Sequence, residues 1–182
     1  MLPYILAAFL ISFIIQLITI YLTNKTNLFI DKADSNKPQR FHNISTPRAG
    51  GIGIFLANLI LAINPLSLKF IVSGFFAFFS GILEDFHQKI SPKVRLILQL
   101  FSGIVAVILL GAVVKEIRLI EFPYPVAVAF TVFAIVGGIN AINIIDGFNG
   151  LASGVSLMIL TSFGIVSYLQ QDYELLFIIL IN

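Results

Sequence analysis

Apolar residues run along this chain in long blocks, separated by short polar clusters. No charge occurs from Met1 to Asn24, a stretch of 24 residues. Twenty uncharged positions then separate Arg48 from Lys69, 14 separate Lys69 from Glu84, and 19 separate Arg95 from Lys115. A further 24 lie between Glu121 and Asp146, and 25 between Asp146 and Asp172. A helix needs about 20 apolar residues to cross about 30 Å of hydrocarbon. The pattern therefore predicts spanning helices over 3–23, 50–64, 66–83, 96–114, 125–145 and 151–169. The gap after Lys69 is short, and the third helix is completed by starting near Pro65 with Lys69 snorkelling to the interface. Leu175 to Asn182 would rise only about 12 Å as a helix. It reads as a seventh helix cut short. The expected fold is all-α, a polytopic transmembrane helix bundle of about six full spans plus a truncated seventh. Residues 1–182 form one membrane domain, expected to be the N-terminal part of a longer protein.

Composition agrees with the pattern. Hydrophobic residues make up 58% of the 182 residues and charged residues only 11%, against about 25% charged in an average soluble domain. Mean hydropathy is +1.01. A soluble domain of this size cannot bury so much apolar side chain. The absence of cysteine excludes disulfides, zinc thiolates and a cysteine nucleophile. A net charge of +2 is too small to imply a nucleic-acid partner. No basic residue precedes the first apolar block and no small-residue cleavage site closes it, so it reads as a retained helix, not a signal peptide.

The charges are unevenly placed. The loops at 24–49, 84–95 and 146–150 hold eight Lys and Arg: Lys25, Lys32, Lys37, Arg40, Arg48, Lys89, Lys93 and Arg95. The opposite set holds three, Lys69, Lys115 and Arg118. The positive-inside rule puts the first set in the cytoplasm and the N-terminus outside. The outer 115–124 segment alternates Ile117 and Leu119 with charged neighbours before Pro123, as a short hairpin or an interfacial segment would.

Three features at the cytoplasmic face can carry chemistry. The 24–49 loop contains Lys32, Lys37, Arg40, His42 and Arg48, and leads into Gly50 and Gly51 at a helix start. Basic side chains beside a helix N-terminus suit a phosphate, and they equally suit contact with anionic lipid. Glu84 and Asp85 sit together at a helix end that is already partly negative. A divalent cation would compensate them, and so would the basic run Lys89, Lys93, Arg95; ordinary solvated loop acids are the plainer alternative. Asn140, Asn143 and Asp146 fall near one helix face and lead into Gly147, Asn149 and Gly150. A polar stripe on a membrane helix faces a cavity or bonds a neighbouring helix. Oxygen donors of this kind suit Mg²⁺ with substrate phosphates, which points to a phosphorylated ligand at the interface without naming it.

Three segments together carry a resemblance. They are Asp31-Lys32 through Arg40-Phe41-His42 to Thr46-Pro47-Arg48-Ala49-Gly50-Gly51, Glu84-Asp85-Phe86 followed by Ser91-Pro92-Lys93-Val94-Arg95-Leu96, and Asn140 to Leu151. In that order they resemble the polyprenyl-phosphate N-acetylhexosamine-1-phosphate transferases (glycosyltransferase family 4), the group that includes phospho-MurNAc-pentapeptide transferase and the initiators of O-antigen and teichoic-acid synthesis. The resemblance implies transfer of a sugar-1-phosphate from a UDP-N-acetylhexosamine to undecaprenyl or another polyprenyl phosphate, with Mg²⁺ as cofactor and UMP as product. It implies a bacterial inner membrane, an active face toward the cytoplasm and, as one expected assembly, a homodimer. By position it assigns Glu84, Asp85 and Asp146 to catalysis and metal binding, and Lys37, Arg40, His42, Arg48, Asn140, Asn143 and Asn149 to substrate binding.

Two residues depart from the family pattern. Glu84 stands where most members have Asp, and Asn149 stands where many have a second Asp. The family has ten or eleven membrane helices, and its later loops carry a further acid and a His-containing sugar-recognition segment. The chain alone is therefore expected to be inactive. A transporter fragment whose Asn/Asp stripe lines a pathway, and a fragment without enzymatic activity, are the alternative readings.

Overall fold

A computed structural model of the chain describes residues 1–26, 30–31, 46–47, 50–87, 90–145 and 150–182. Seven helices dominate them: α1 Leu2–Thr26, α2 Gly50–Asn58, α3 Pro65–His87, α4 Pro92–Leu110, α5 Tyr124–Ile145, α6 Leu151–Leu169 and α7 Tyr173–Ile181. A 3₁₀ stretch, Leu59–Ile63, continues α2. Two minimal hairpins complete the set. β1 Ile30–Asp31 pairs antiparallel with β2 Thr46–Pro47, and β3 Glu116–Ile117 pairs with β4 Ile120–Glu121.

Five helices, α1, α3, α4, α5 and α6, are long and apolar enough to cross a membrane. The segment expected to be the second span is shorter, Gly50–Ile63. The count of six spans therefore rests on this short helix. The all-α, polytopic membrane bundle stands.

Boundaries moved where caps overruled the charge count. α4 begins at Pro92, not 96, because Ser91 caps it: its side chain accepts from the Val94 N–H, and Pro92 occupies the first turn. It ends at Gly111, whose φ of 64° is left-handed and whose N–H reaches the Val107 carbonyl. α3 starts at Pro65 as expected, with the Asn64 Oδ1 accepting from the Leu66 N–H. It continues past 83 to His87, so Glu84 and Asp85 are helical. α7 starts two residues before Leu175 because the Asp172 carboxylate caps it through the Leu175 N–H. The 115–124 segment is a hairpin, with Arg118 at its turn in a left-handed conformation, φ 56°.

The described residues fall into two compact units, Met1–Ala62 with Ile142–Asn182, and Ile63–Ala141. In the first, Gly53 lets α2 approach α1: a Cβ there would lie 2.9 Å from the Ser12 carbonyl oxygen. Gln16 of α1 donates to the Gly50 carbonyl at 2.6 Å. Asn58 and Asn182 exchange side-chain amide bonds at 2.8 and 2.9 Å, tying α2 to the end of α7.

In the second unit α4 packs against α3 and α5. Ser102 donates to the Ser73 carbonyl across α3 and α4 at 2.6 Å. Gly103 of α4 sits against Val132 of α5, beside a small cluster of Val107, Val132 and Val136. Ser67, Ser73, Ser80, Gln99, Ser102 and Thr131 are all buried, whereas Phe75, Phe101, Ile108 and Phe133 are exposed. Small and polar residues inside with large apolar ones outside is the arrangement of helices surrounded by lipid.

Candidate active site

Antiparallel packing in the Ile63–Ala141 unit brings the end of α3, the start of α4 and the Asn140 turn of α5 to one side. Glu84 and Asp85 occupy the last turns of α3, both partly buried. The Arg95 guanidinium reaches back from α4, with Nη1 2.9 Å from Glu84 Oε2. This ion pair answers the charge problem of an acidic helix C-terminus. Of the compensating groups considered from sequence, the basic run is present through Arg95. A Glu side chain has the length to make this bond from the helix end.

One turn further along α4, the buried Gln99 accepts through Oε1 from Asn140 Nδ2 at 2.7 Å. The same Asn140 amide also donates to the Val136 carbonyl at 2.8 Å. Arg95, Gln99 and Ser102 thus share one face of α4: the first bonds the α3 acid, the second the α5 amide, the third the α3 backbone. This polar seam joins the acidic pair of α3 to the asparagine stripe of α5 through α4. Asn140 bonds a neighbouring helix, one of the two roles open to such a stripe. Asn143, on the following turn of α5, is exposed.

Gln99 carries no charge to mark it in the sequence. Its signal was the spacing Arg95-x-x-x-Gln99-x-x-Ser102, a polar stripe like that of α5. Lys37, Arg40, His42, Arg48, Asp146 and Asn149 lie outside the described residues. Of the three features put at the cytoplasmic face, the Asp146–Asn149 segment and most of the 24–49 loop therefore lie there too. Among the described residues, no cluster of three or more His, Cys, Asp or Glu side chains could hold a metal.

The family model for glycosyl transferase family 4 matches residues 67–182, from early α3 to the last residue. The chain belongs to this family. Named relatives are similar to it over most of its length. An undecaprenyl-phosphate alpha-N-acetylglucosaminyl 1-phosphate transferase of Thermotoga maritima is 34% identical over 149 residues, which cover 81% of this chain and 46% of the relative. A probable undecaprenyl-phosphate N-acetylglucosaminyl 1-phosphate transferase of Bacillus subtilis is 29% identical over 175 residues, 90% of this chain and 48% of the relative. A phospho-N-acetylmuramoyl-pentapeptide-transferase of Streptococcus pneumoniae serotype 19F is 29% identical over 158 residues, 74% of this chain and 47% of the relative. The chain spans about half the length of the curated relatives it matches. No solved structure matches it.

Proposed function

We propose that this chain carries part of the catalytic face of an enzyme that transfers a sugar-1-phosphate from a UDP-N-acetylhexosamine to a polyprenyl phosphate. A phosphate oxygen of the lipid attacks the β-phosphorus of the nucleotide sugar. One P–O bond forms, the bond to the α-phosphate bridge breaks, and UMP leaves. The observation that carries this reading is family membership together with the acidic pair of α3, held beside a basic helix start by the Arg95–Glu84 contact. The relatives' names supply the acceptor and the sugar-1-phosphate class. We place the site at the cytoplasmic face of a bacterial inner membrane, following the charge asymmetry of the loops.

Mg²⁺ fits the donor chemistry. Asp85 and Glu84 offer oxygen ligands at the helix end assigned to the cytoplasmic face, and Asp146 adds a third carboxylate in the sequence. Mg²⁺ takes one or two protein carboxylates and fills its remaining positions with water and substrate phosphates. When bound it would offset the repulsion between a pyrophosphate and a lipid phosphate. The chain's own contribution is to hold the acids at the interface. Lys37, Arg40, His42 and Arg48 are proposed to meet the phosphates, and Asn143 and Asn149 the nucleotide sugar.

The test is UMP release from UDP-N-acetylglucosamine in membranes supplied with undecaprenyl phosphate. The chain is assayed alone and co-expressed with the C-terminal half of the Thermotoga relative. Turnover that needs Mg²⁺ and is lost in Asp85→Asn supports the reading. Turnover indifferent to both would refute the assigned site. Silence in every combination, with both halves present in the membrane, counts against the activity. The chain alone is expected to be silent.

A further inference from the structure

The hairpin between α4 and α5 has no part in the proposed reaction, yet its placement is tightly fixed. The Val114 N–H donates to the buried Thr131 hydroxyl at 2.9 Å, and that hydroxyl donates on to the Ala127 carbonyl. Val113 packs on the Val107–Val132–Val136 cluster. At the other end the Phe122 N–H bonds the Lys115 carbonyl at 2.8 Å, closing the hairpin. The Phe122 ring stacks on Phe130 of α5 with centroids 5.4 Å apart.

These ties set how far the hairpin can reach. Thr131 lies about two turns inside α5, roughly 10 Å from its first residue. From Val114 to Leu119 the chain can extend at most about 17 Å. The tip therefore reaches no more than roughly 7 Å beyond the start of α5. α5 has 22 residues, about 33 Å, which matches the hydrocarbon core of about 30 Å. The headgroup layer outside that core is about 5–7 Å thick on each side. Whatever its direction, the hairpin tip reaches no farther out than that layer.

Its side chains suit such a place. Leu119 at the turn is 100% exposed and Ile120 63% exposed. The pleat puts the Ile117–Ile120 pair and Phe122 on one face and the Glu116–Glu121 pair on the other. One face is apolar and the other anionic. Lys115 and Arg118 flank the apolar face with long stems able to reach lipid phosphate. Tyr124 begins α5 exposed, as in the aromatic belts of membrane proteins.

We propose that the 115–122 hairpin is a membrane-interface anchor: Leu119, with Ile117 and Ile120, inserts at the headgroup–acyl boundary of the bilayer, and the glutamate face looks to water. The anchor fixes the depth and rotation of α4 and α5 from the side opposite the polar seam.

The chain contains neither tryptophan nor cysteine, so single probes report without background. Leu119→Trp is made in the 182-residue chain and reconstituted in phosphatidylcholine–phosphatidylglycerol vesicles. The expected result is blue-shifted emission, with quenching several-fold stronger from lipids brominated near the carbonyl end of the acyl chain than from lipids brominated near the methyl end. Aqueous iodide should quench weakly. Emission at the position of hydrated indole, strong iodide quenching and no effect of brominated lipid would overturn the proposal. So would protection from both quenchers, which would place protein, not lipid, over the tip. Leu119→Cys carrying a nitroxide is the second probe. Collision rates with oxygen above those with an aqueous nickel chelate support insertion, and the reverse order overturns it.

Discussion

Arg95 Nη1 lies 2.9 Å from Glu84 Oε2, so the first turns of α4 hold the side chain at the end of α3. Both side chains are partly exposed, at 25% and 35%. The contact therefore orients more than it stabilises, since such pairs contribute about 0.2–1 kcal/mol. Arg95→Ala should lower thermal stability in detergent by no more than that. Arg95→Glu should cost more, because it places a third carboxylate beside Glu84 and Asp85. Glu84→Arg combined with Arg95→Glu should recover most of that further loss. Melting curves of the four proteins decide it, and equal losses in all variants would show that the pair does not couple.

Gln99 and Asn140 should behave as a coupled unit. Hydrogen bonds between membrane helices average about 0.6 kcal/mol in double-mutant cycles, with a maximum near 1.7. The cycle Gln99→Leu, Asn140→Leu and the double variant, followed by unfolding in mixed micelles, should give a coupling energy in that range. A coupling indistinguishable from zero would remove the link between α4 and α5.

Gly53 and Gly103 should differ in tolerance. A Cβ at Gly103 meets the Val132 Cγ1 at 3.2 Å, a side-chain atom that can turn away. A Cβ at Gly53 meets the Ser12 carbonyl oxygen at 2.9 Å, and that backbone oxygen can move only with α1. Gly103→Ala should therefore be mild and be relieved by Val132→Ala. Gly53→Ala should lose stability at the scale of an overpacked core, about 1–3 kcal/mol. Thermal unfolding of both variants in one detergent is the comparison, and the reverse order would contradict the packing.

For the proposed activity, Asp85→Asn and Asp146→Asn should each cut sugar-1-phosphate transfer on the order of a hundredfold or more, by removing charge proposed to help hold Mg²⁺. Excess Mg²⁺ should restore part of the loss. Glu84→Asp keeps the charge but shortens the reach to Arg95, so transfer should survive with a small loss of stability. The UMP-release assay across a Mg²⁺ titration reads all three.

Much of this was legible in the chain because lipid imposes a simple rule: apolar length sets the helices. α6 spans Leu151–Leu169, as the uncharged gaps predicted, and α5 begins within one residue of the expected start. The rule misplaced α4 because a charge-free window ignores capping. Ser91-Pro92 starts a helix whose first turns can carry Lys93 and Arg95, since long basic side chains leave the hydrocarbon on their own stems. The second helix runs Gly50–Ile63 against the expected 50–64, but apolar character says nothing of its 3₁₀ winding over Leu59–Ile63. At the site, Glu84 and Asp85 stood out through their charge, whereas Gln99 did not. An uncharged polar residue in a membrane helix is noticed only when its partner on another helix is known, and Asn140 supplied that partner. The basic-loop residues and Asp146 were read from sequence alone.

The segment from Gly50 to Ile63 winds as nine α-helical and then five 3₁₀ residues. Its length comes to about 24 Å, some 6 Å less than an ordinary hydrocarbon core. A bilayer that this helix crosses accommodates it by thinning locally or through its flanking residues, at a fraction of a kcal/mol for each ångström. Acyl chain length then becomes a variable the protein responds to: shorter-chain lipids relieve the strain around α2, and thicker membranes add to it.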